Sequence, residues 1–378
     1  MLKIIAFLQS RLHHITPITA CYIAGIWWQS STTPFEYSYV ISLALVAILT
    51  VRNKLSQRHL LQTTTLSCAF FAGALLFFIQ QEKHATNQTA FCGGLRNIRG
   101  CIMELNEPKQ RFFKNSVTLN TYLIHKDKEW KPVNAKVQIY TDSINKFLVG
   151  DTIEIKDIIF KKPIDPSFNF YLMKQGITAT THQKNLEFKL IHRPKLSLQR
   201  AVFYSKKNIF ERLKKKISPN VFPLVSSVFF GLKSGRKHFL DRLKELFKAW
   251  GILHFLARSG LHLVIFIFLW NIIIRFIPIA FIFRQILFIF LGAIYCGLTW
   301  TSIPFIRAIS IFFLYKIGPL LNARTNTTHL LAIICLMMLL NNPSLLFFLD
   351  FQLSFGLTFA LAWFGQLKLQ KRTLLQNY

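Results

Sequence analysis

Apolar runs of bilayer-crossing length recur along this 378-residue chain, and nothing else in it restricts the fold so strongly. They fall at roughly 15 to 28, 36 to 51, 60 to 80, 251 to 274, 276 to 300, 302 to 321, 328 to 341 and 345 to 367. Several reach the about 20 residues that a spanning helix needs. A shorter segment at 219 to 232 is compatible with crossing, re-entering or lying flat. With 52% hydrophobic and 15% aromatic residues, the chain is too apolar for a soluble protein of ordinary shape, and most of it belongs in lipid. The opening MLKIIAFLQSRLHH has no small-residue cleavage site after its apolar stretch, which makes it a retained anchor rather than a signal peptide.

Charge sets the orientation. The loop VRNKLSQRHL carries Arg52, Lys54 and Arg58, whereas Gln29 to Glu36 has no base, so the basic loop faces the cytoplasm. The third run then leads outward, and everything from about Gln81 to Ser218 lies outside the cytoplasm, because long domains translocate largely regardless of charge. The formal net charge is +30; twelve of the 16 acids lie from Glu82 to Glu211, and only Asp350 follows Glu245. Anionic lipid and AT-rich coding each account for part of that excess, and a polyanionic cargo is the sharper reading.

Cys21, Cys68, Cys296 and Cys335 fall in apolar runs, where a thiol acts as a small hydrophobe. Cys92 and Cys101 stand in the polar stretch FCGGLRNIRGC, and an extracytoplasmic pair is expected to oxidise to a disulfide.

Between residues 81 and 199 the pattern turns to strand-like alternation. KVQIYT at 136 to 141 and DTIEIKDIIF at 151 to 160, the latter after the turn glycine Gly150, are the clearest cases. IRGCIMEL and SVTLNTYLI precede them, and ITATTHQKNLEFKLI follows. Five or six short strands in about 110 residues predict a small closed barrel of the oligonucleotide/oligosaccharide-binding (OB-like) type, with a sandwich as the alternative. Such barrels grip single strands by pairing bases with aromatic faces and phosphates with cations. Lys109, Arg111, Lys114, Lys161 and Lys162 are the candidate cations, and Phe112, Phe113, Tyr122, Trp130, Tyr140, Phe168, Phe170 and Tyr171 the candidate rings, most of them expected in the core. RAVFYSKKNIFERLKKK at 200 to 216 and HFLDRLKELFKAW at 238 to 250 are basic and amphipathic, a composition suited to an anionic interface.

The run WGILHFLARSGLHLVIFIFLWNIII is almost pure hydrocarbon except at its polar centre. His254, Arg258 and His262 are spaced four apart and share one helix face, and Ser259 and Gly260 mark a kink or unwinding point. A charge at the bilayer centre costs about 2.5 to 3.5 kcal/mol on insertion scales, a cost usually tolerated for a site or a pathway. Arg284 and Arg307 stand in similar surroundings, with Asp350 as the sole acid available to all three arginines. Such arginines favour anions binding or passing nearby; snorkelling is the competing reading. His13 and His14 are adjacent, which suits joint metal ligation poorly.

The block GLKSGRKHFLDRLKELFKAWGILHFLARSGLHL, with its Ser-Gly-Leu-His core, resembles the signature of the ComEC family of bacterial inner-membrane DNA-internalisation proteins. PFIRA at 304 to 308, NPSLLFFLDFQLSFG at 342 to 356 and IDPSFNFYLMKQGITAT at 164 to 180, with Phe170, Tyr171 and Gly176, are similar to that family in the same order. Arg258 departs from the pattern, which has an apolar residue there. The resemblance implies a multi-pass α-helical inner-membrane protein with an inserted extracytoplasmic OB-like barrel, passing one strand of DNA to the cytoplasm in natural transformation. His254, Ser259, Gly260, His262, Arg307, Gln352 and Ser354 are the positions carried over to that path, and Arg258 joins them on its charge.

The implied domains are 1–80 (about three N-terminal spans), 81–199 (barrel), 200–250 (interfacial helices) and 251–378 (competence-type bundle). The chain ends at LQKRTLLQNY with no His-x-His-x-Asp-His cluster, so a short form without the metallo-β-lactamase-like domain of many relatives is expected, with no metal, cofactor or enzyme activity. No Gly-x4-Gly-Lys-Ser/Thr loop occurs, so pulling by ATP falls to a cytoplasmic motor. A periplasmic DNA receptor, membrane lipid and further copies of the chain are the other implied partners. The rival readings are a non-transporting remnant that only inserts and binds DNA, and a transporter of small anions or lipid headgroups.

Overall fold

The computed structural model describes residues 15–31, 57–106, 115–126, 129–141, 147–184, 186–194, 197–219, 221–222, 225–226, 245–251, 260–299, 302–321 and 326–376. The run at 36 to 51 and most of the segment at 219 to 232 lie outside them. The chain divides into two compact units, one of Met1–Leu76 with Glu211–Tyr378 and one of Phe77–Phe210.

The first unit is helical. Helix α1 (Ile15–Ser30) is followed by α2 (Gln57–Phe91), α5 (Gly260–Arg275), α6 (Phe281–Leu298), α7 (Ile303–Leu320), α8 (Thr327–Asn341), a 3-10 turn (Pro343–Phe347) and α9 (Leu349–Gln376), with α3 (Pro166–Gln175) and α4 (Leu198–Lys216) between α2 and α5 in the chain. Among the described residues, Thr64–Phe91, Phe281–Leu298 and Ile303–Leu320 are long and apolar enough to cross a membrane, and Leu263–Arg275 and Thr327–Asn341 are shorter apolar helices. Their breaks follow local chemistry. Asn326 caps α8 by accepting the Thr328 N–H at 3.0 Å, and Pro343 opens the 3-10 turn. Helices α1 and α2 cross where Gly25 and Gly73 leave no room for a side chain: a Cβ on either would strike the other helix's backbone, at Phe70 and Tyr22. Small residues at such crossings let backbones approach closely. Helix α1 also reaches α8, with the Thr19 hydroxyl donating to Ala332 O at 3.3 Å and the Tyr22 hydroxyl to Leu339 O at 3.4 Å.

Helix α2 continues 11 residues past the apolar run expected to end at 80. QQEKHATNQTAF is polar but rich in good helix formers, and the helix stops where Gly93 and Gly94 adopt positive φ of 102° and 153°. The second compact unit runs from Phe77 to Phe210 and contains the stretch 81 to 199.

That second unit is a six-stranded mixed sheet: β1 (Leu95–Asn106), β2 (Asn115–Lys126), β3 (Glu129–Thr141), β4 (Thr152–Ile159), β5 (Ile177–His182) and β6 (Glu187–His192). The spatial order is β5-β3-β2-β1-β4-β6, with β3–β5 parallel and the other pairs antiparallel. All six strands fall on the alternating segments. The ladder does not close into the expected barrel; a single antiparallel bridge, Lys161 to Thr180, joins the chain after β4 to β5. Alternate residues of β2, β3 and β4 (Val117, Leu119, Val137, Ile139, Ile153 and Ile155) fill one core with Phe91 and Phe160. In β1, Gly100 is required by packing, since a Cβ would lie 2.8 Å from Asn120 O on β2.

Helix α3 (Pro166–Gln175) precedes β5. Asp165 caps it by accepting the Ser167 N–H at 2.9 Å, and Gly176 ends it at φ 68° with its N–H on Leu172 O and Met173 O. This gives Gly176 a backbone reason. Helix α4 (Leu198–Lys216) covers the basic amphipathic segment at 200 to 216. Of the one at 238 to 250, only 245–250 is described.

Cys92 and Cys101 are both free thiols, which corrects the expected disulfide. Cys92 bridges to Phe160 and Cys101 pairs with Thr152, at opposite ends of β4. Eight residues of strand separate those partners by about 26 Å, whereas a disulfide holds its Cα atoms within about 7 Å.

Candidate functional site

Helix α7 begins after Ser302 with Pro304 in its first turn, which places Arg307 one turn inside a mostly apolar helix. Its Nη1 donates to Thr358 Oγ1 on α9, and its guanidinium lies 6.0 Å from the Phe355 ring. The Thr358 hydroxyl in turn donates to Ser354 O at 2.7 Å. Arg307 Nε and Ser354 Oγ are both buried with no hydrogen-bond partner among the described residues. No described acid pairs with Arg307. An always-charged group with an unmet donor, beside an unmet hydroxyl, is a local excess of positive potential in a low-dielectric wall.

The structure therefore brings together Arg307 and Ser354 of the positions read from the sequence, and adds Thr358 and Phe355. Gln352 does not join them: two residues from Ser354 on α9, it is exposed and donates to Leu346 O at 2.9 Å, tying the 3-10 turn to the helix. Gly260 is the first residue of α5, and His262 lies in its first turn with its side chain outside the described set. His254, Arg258 and Ser259 lie outside the described residues. Lys316, on α7, is a cation within an apolar helix and is absent from the positions read from the sequence; a lysine inside IFFLYKIGPL is its signal.

In the sheet unit, Tyr140 on β3 stacks on His182 at the end of β5, with centroids 4.5 Å apart and planes 9° apart. The α3 side chains Phe168 and Tyr171 stack at 6.4 Å and 17°, and both are exposed. Burial, with Tyr171 nearby, pushes the Tyr140 phenol up, while partial burial and the Lys161 charge push His182 down. Two ring pairs and the exposed Lys161 thus neighbour one another, and Lys162 follows, also exposed. Most candidate aromatics were expected in the core, yet Tyr122, Phe168 and Tyr171 are exposed and Trp130 is partly so. Trp130 carries the Arg99 guanidinium 4.2 Å from its ring, and Arg99 pairs with Glu154 at 2.8 Å. Lys109, Arg111, Lys114, Phe112 and Phe113 lie outside the described residues.

A different cluster holds the sheet to the start of α4 and the segment before it. Asp151 is fully buried and accepts from Arg193 Nη2 at 2.7 Å, Arg200 Nη2 at 2.6 Å and Leu148 N–H at 3.0 Å. Both of its oxygens are engaged within the fold, which makes it a structural clasp.

No curated protein matches this chain, and no solved structure does. The segment holding Arg307, Ser354 and Thr358 does match a family: residues 232–377 fit the family model described as Competence protein.

Proposed function

We propose that this protein acts in natural transformation as part of the inner-membrane path by which single-stranded DNA enters the cytoplasm. The observation that carries the reading is Arg307, an unpaired cation with an unmet N–H beside the unmet Ser354 hydroxyl, inside the segment that matches the competence proteins. A wall for a passing polyanion has to meet phosphate charge without retaining it, and one arginine held by a hydroxyl and a ring satisfies that better than a cage of cations. The sheet unit fits the role of an OB-like capture domain: the Lys161–Thr180 bridge brings the chain after β4 to β5, and the Tyr140–His182 and Phe168–Tyr171 pairs with Lys161 supply stacking faces and charge. A periplasmic receptor, a cytoplasmic motor and further copies of the chain complete the proposed pathway.

The test is transformation frequency in cells expressing Arg307→Ala, Arg307→Lys and Ser354→Ala at equal membrane abundance. Loss of a charge-assisted hydrogen bond to phosphate is worth about 1.5 to 3 kcal/mol, so Arg307→Ala is expected to lower uptake about tenfold or more and Arg307→Lys less. Wild-type uptake by Arg307→Ala would remove this helix from the path.

A further inference from the structure

We propose that the common end of α6 and α7 is a binding site for the phosphate headgroup of an anionic phospholipid, held by Arg284 and Lys316. The inference rests on the membrane reading alone and needs no passage of DNA. Helices α6 and α7 are joined through 299–302 and packed antiparallel, so the first turn of α6 and the last turns of α7 share one end. Lys316 reaches from α7 to α6, its Nζ lying 4.5 Å from the Phe288 centroid and 5.8 Å from that of Phe312. Arg284 lies over Phe281 at 5.8 Å and within electrostatic reach of Lys316.

Neither cation has an oxygen partner for its side chain among the described residues. Two like charges brought together repel, and an anion between them removes the repulsion. Beside Arg284, Gln285 is 6% exposed, and its Oε1 is buried with no hydrogen-bond partner. A glycerol hydroxyl is a donor of the kind that atom lacks.

The surroundings select an amphiphile. Phe276, Ile277, Phe281, Ile282 and Phe283 form an exposed apolar rim at this end, Phe276 at 82%. Acyl chains cover such a rim while the phosphate meets the cations, and basic pockets between spanning helices recognise anionic headgroups in this way.

The full chain would be reconstituted in discs of phosphatidylcholine with phosphatidylglycerol as the minor component, and co-purifying lipid counted by native mass spectrometry. Wild type is expected to retain phosphatidylglycerol about tenfold over its share of the disc, the size of one charge-assisted contact. Arg284→Gln with Lys316→Met should lose that enrichment, Lys316→Arg should keep it, and Lys136→Gln with Lys156→Gln, an equal charge change on the exposed face of the sheet unit, should leave it intact. Equal enrichment in the Arg284/Lys316 double variant would overturn the proposal. So would displacement of the lipid by free glycerol phosphate, which would mark a soluble-anion site, or by a single-stranded oligonucleotide, which would assign the cations to cargo. Transformation by the same variants reads the DNA path separately, so the two ideas fail independently.

Discussion

Asp151 stands between two opposing effects on one carboxyl group. Burial alone would raise its pKa, but the Arg193 hydrogen bond, the Leu148 N–H and the charges of Arg193 and Arg200 outweigh it and hold the carboxyl below its ordinary value. A carboxylate whose pKa is lowered by folding adds stability that is complete above the unfolded value of about 3.9 and is lost as pH falls through the folded value. Removing one partner from a buried ion cluster costs about 3 to 5 kcal/mol. Asp151→Asn is therefore expected to speed hydrogen exchange at Ile102, Leu148 and Gly150 at neutral pH in the reconstituted full chain. Wild type should show the same loss only below about pH 4; unchanged protection in the variant would show that the backbone bonds Gly150 N–H to Ile102 O and Ile102 N–H to Asp151 O, at 2.8 and 2.9 Å, hold this corner alone. At this scale the sequence is only half legible. Arg307 stands out because it interrupts hydrocarbon, yet its partner Thr358 is 51 residues away, and the arginines of Asp151 are 42 and 49 away. No local pattern marks such pairs.

Among the elements, the crossing of α1 and α2 is the most exacting contact, because backbone faces backbone on both sides of it. Phe70 O and Tyr22 O occupy the places where Cβ atoms would stand on Gly25 and Gly73, and a carbonyl within a helix cannot swing aside as a long side chain can. Overpacking of this kind costs about 1 to 3 kcal/mol. Gly73→Ala is expected to lower the thermal midpoint of the full chain in detergent by several degrees. Gly297→Ala, where nothing lies within 4 Å in α6, should leave it level or slightly raised, since alanine loses less freedom in a helix. Equal midpoints would mean that α1 is free to shift on α2. Elements with a clean period are legible in the amino-acid pattern itself: the six strands follow alternation, and α6 and α7 follow continuous hydrophobicity. Helix α3 is not, although Asp165-Pro166 and Gly176 bracket it, because its 10 residues carry no strong apolar stripe. Barrel closure is equally illegible. Strand count does not say whether edges meet, and among the described residues β5 reaches the end of β4 by one backbone bridge, Lys161 to Thr180, and by the Thr181 hydroxyl donating to Ile159 O at 2.6 Å rather than by a ladder.

For the whole molecule, the direction of each helix turns scattered charges into an orientation. Helices α5 to α9 follow one another through short connections, and α7 packs on α5, α6, α8 and α9. With each helix reversing direction in turn, one end of the set collects Arg275, Arg284, Lys316, Lys368, Lys371 and Arg372, while the connections 299–302 and 342–350 at the other end hold no base and only Asp350. The excess of positive charge on cytoplasmic loops of membrane proteins predicts that the basic end faces the cytoplasm. On that prediction helix α5 starts on the outer side. In a chain stripped of its six native cysteines, Pro278→Cys should react with a membrane-impermeant maleimide only after the cytoplasmic side is opened, and Ser302→Cys in intact cells. The reverse pattern would place Arg284 and Lys316 toward the outer leaflet. Matching labelling would place the start of α5, with Gly260 and His262, at the outer face.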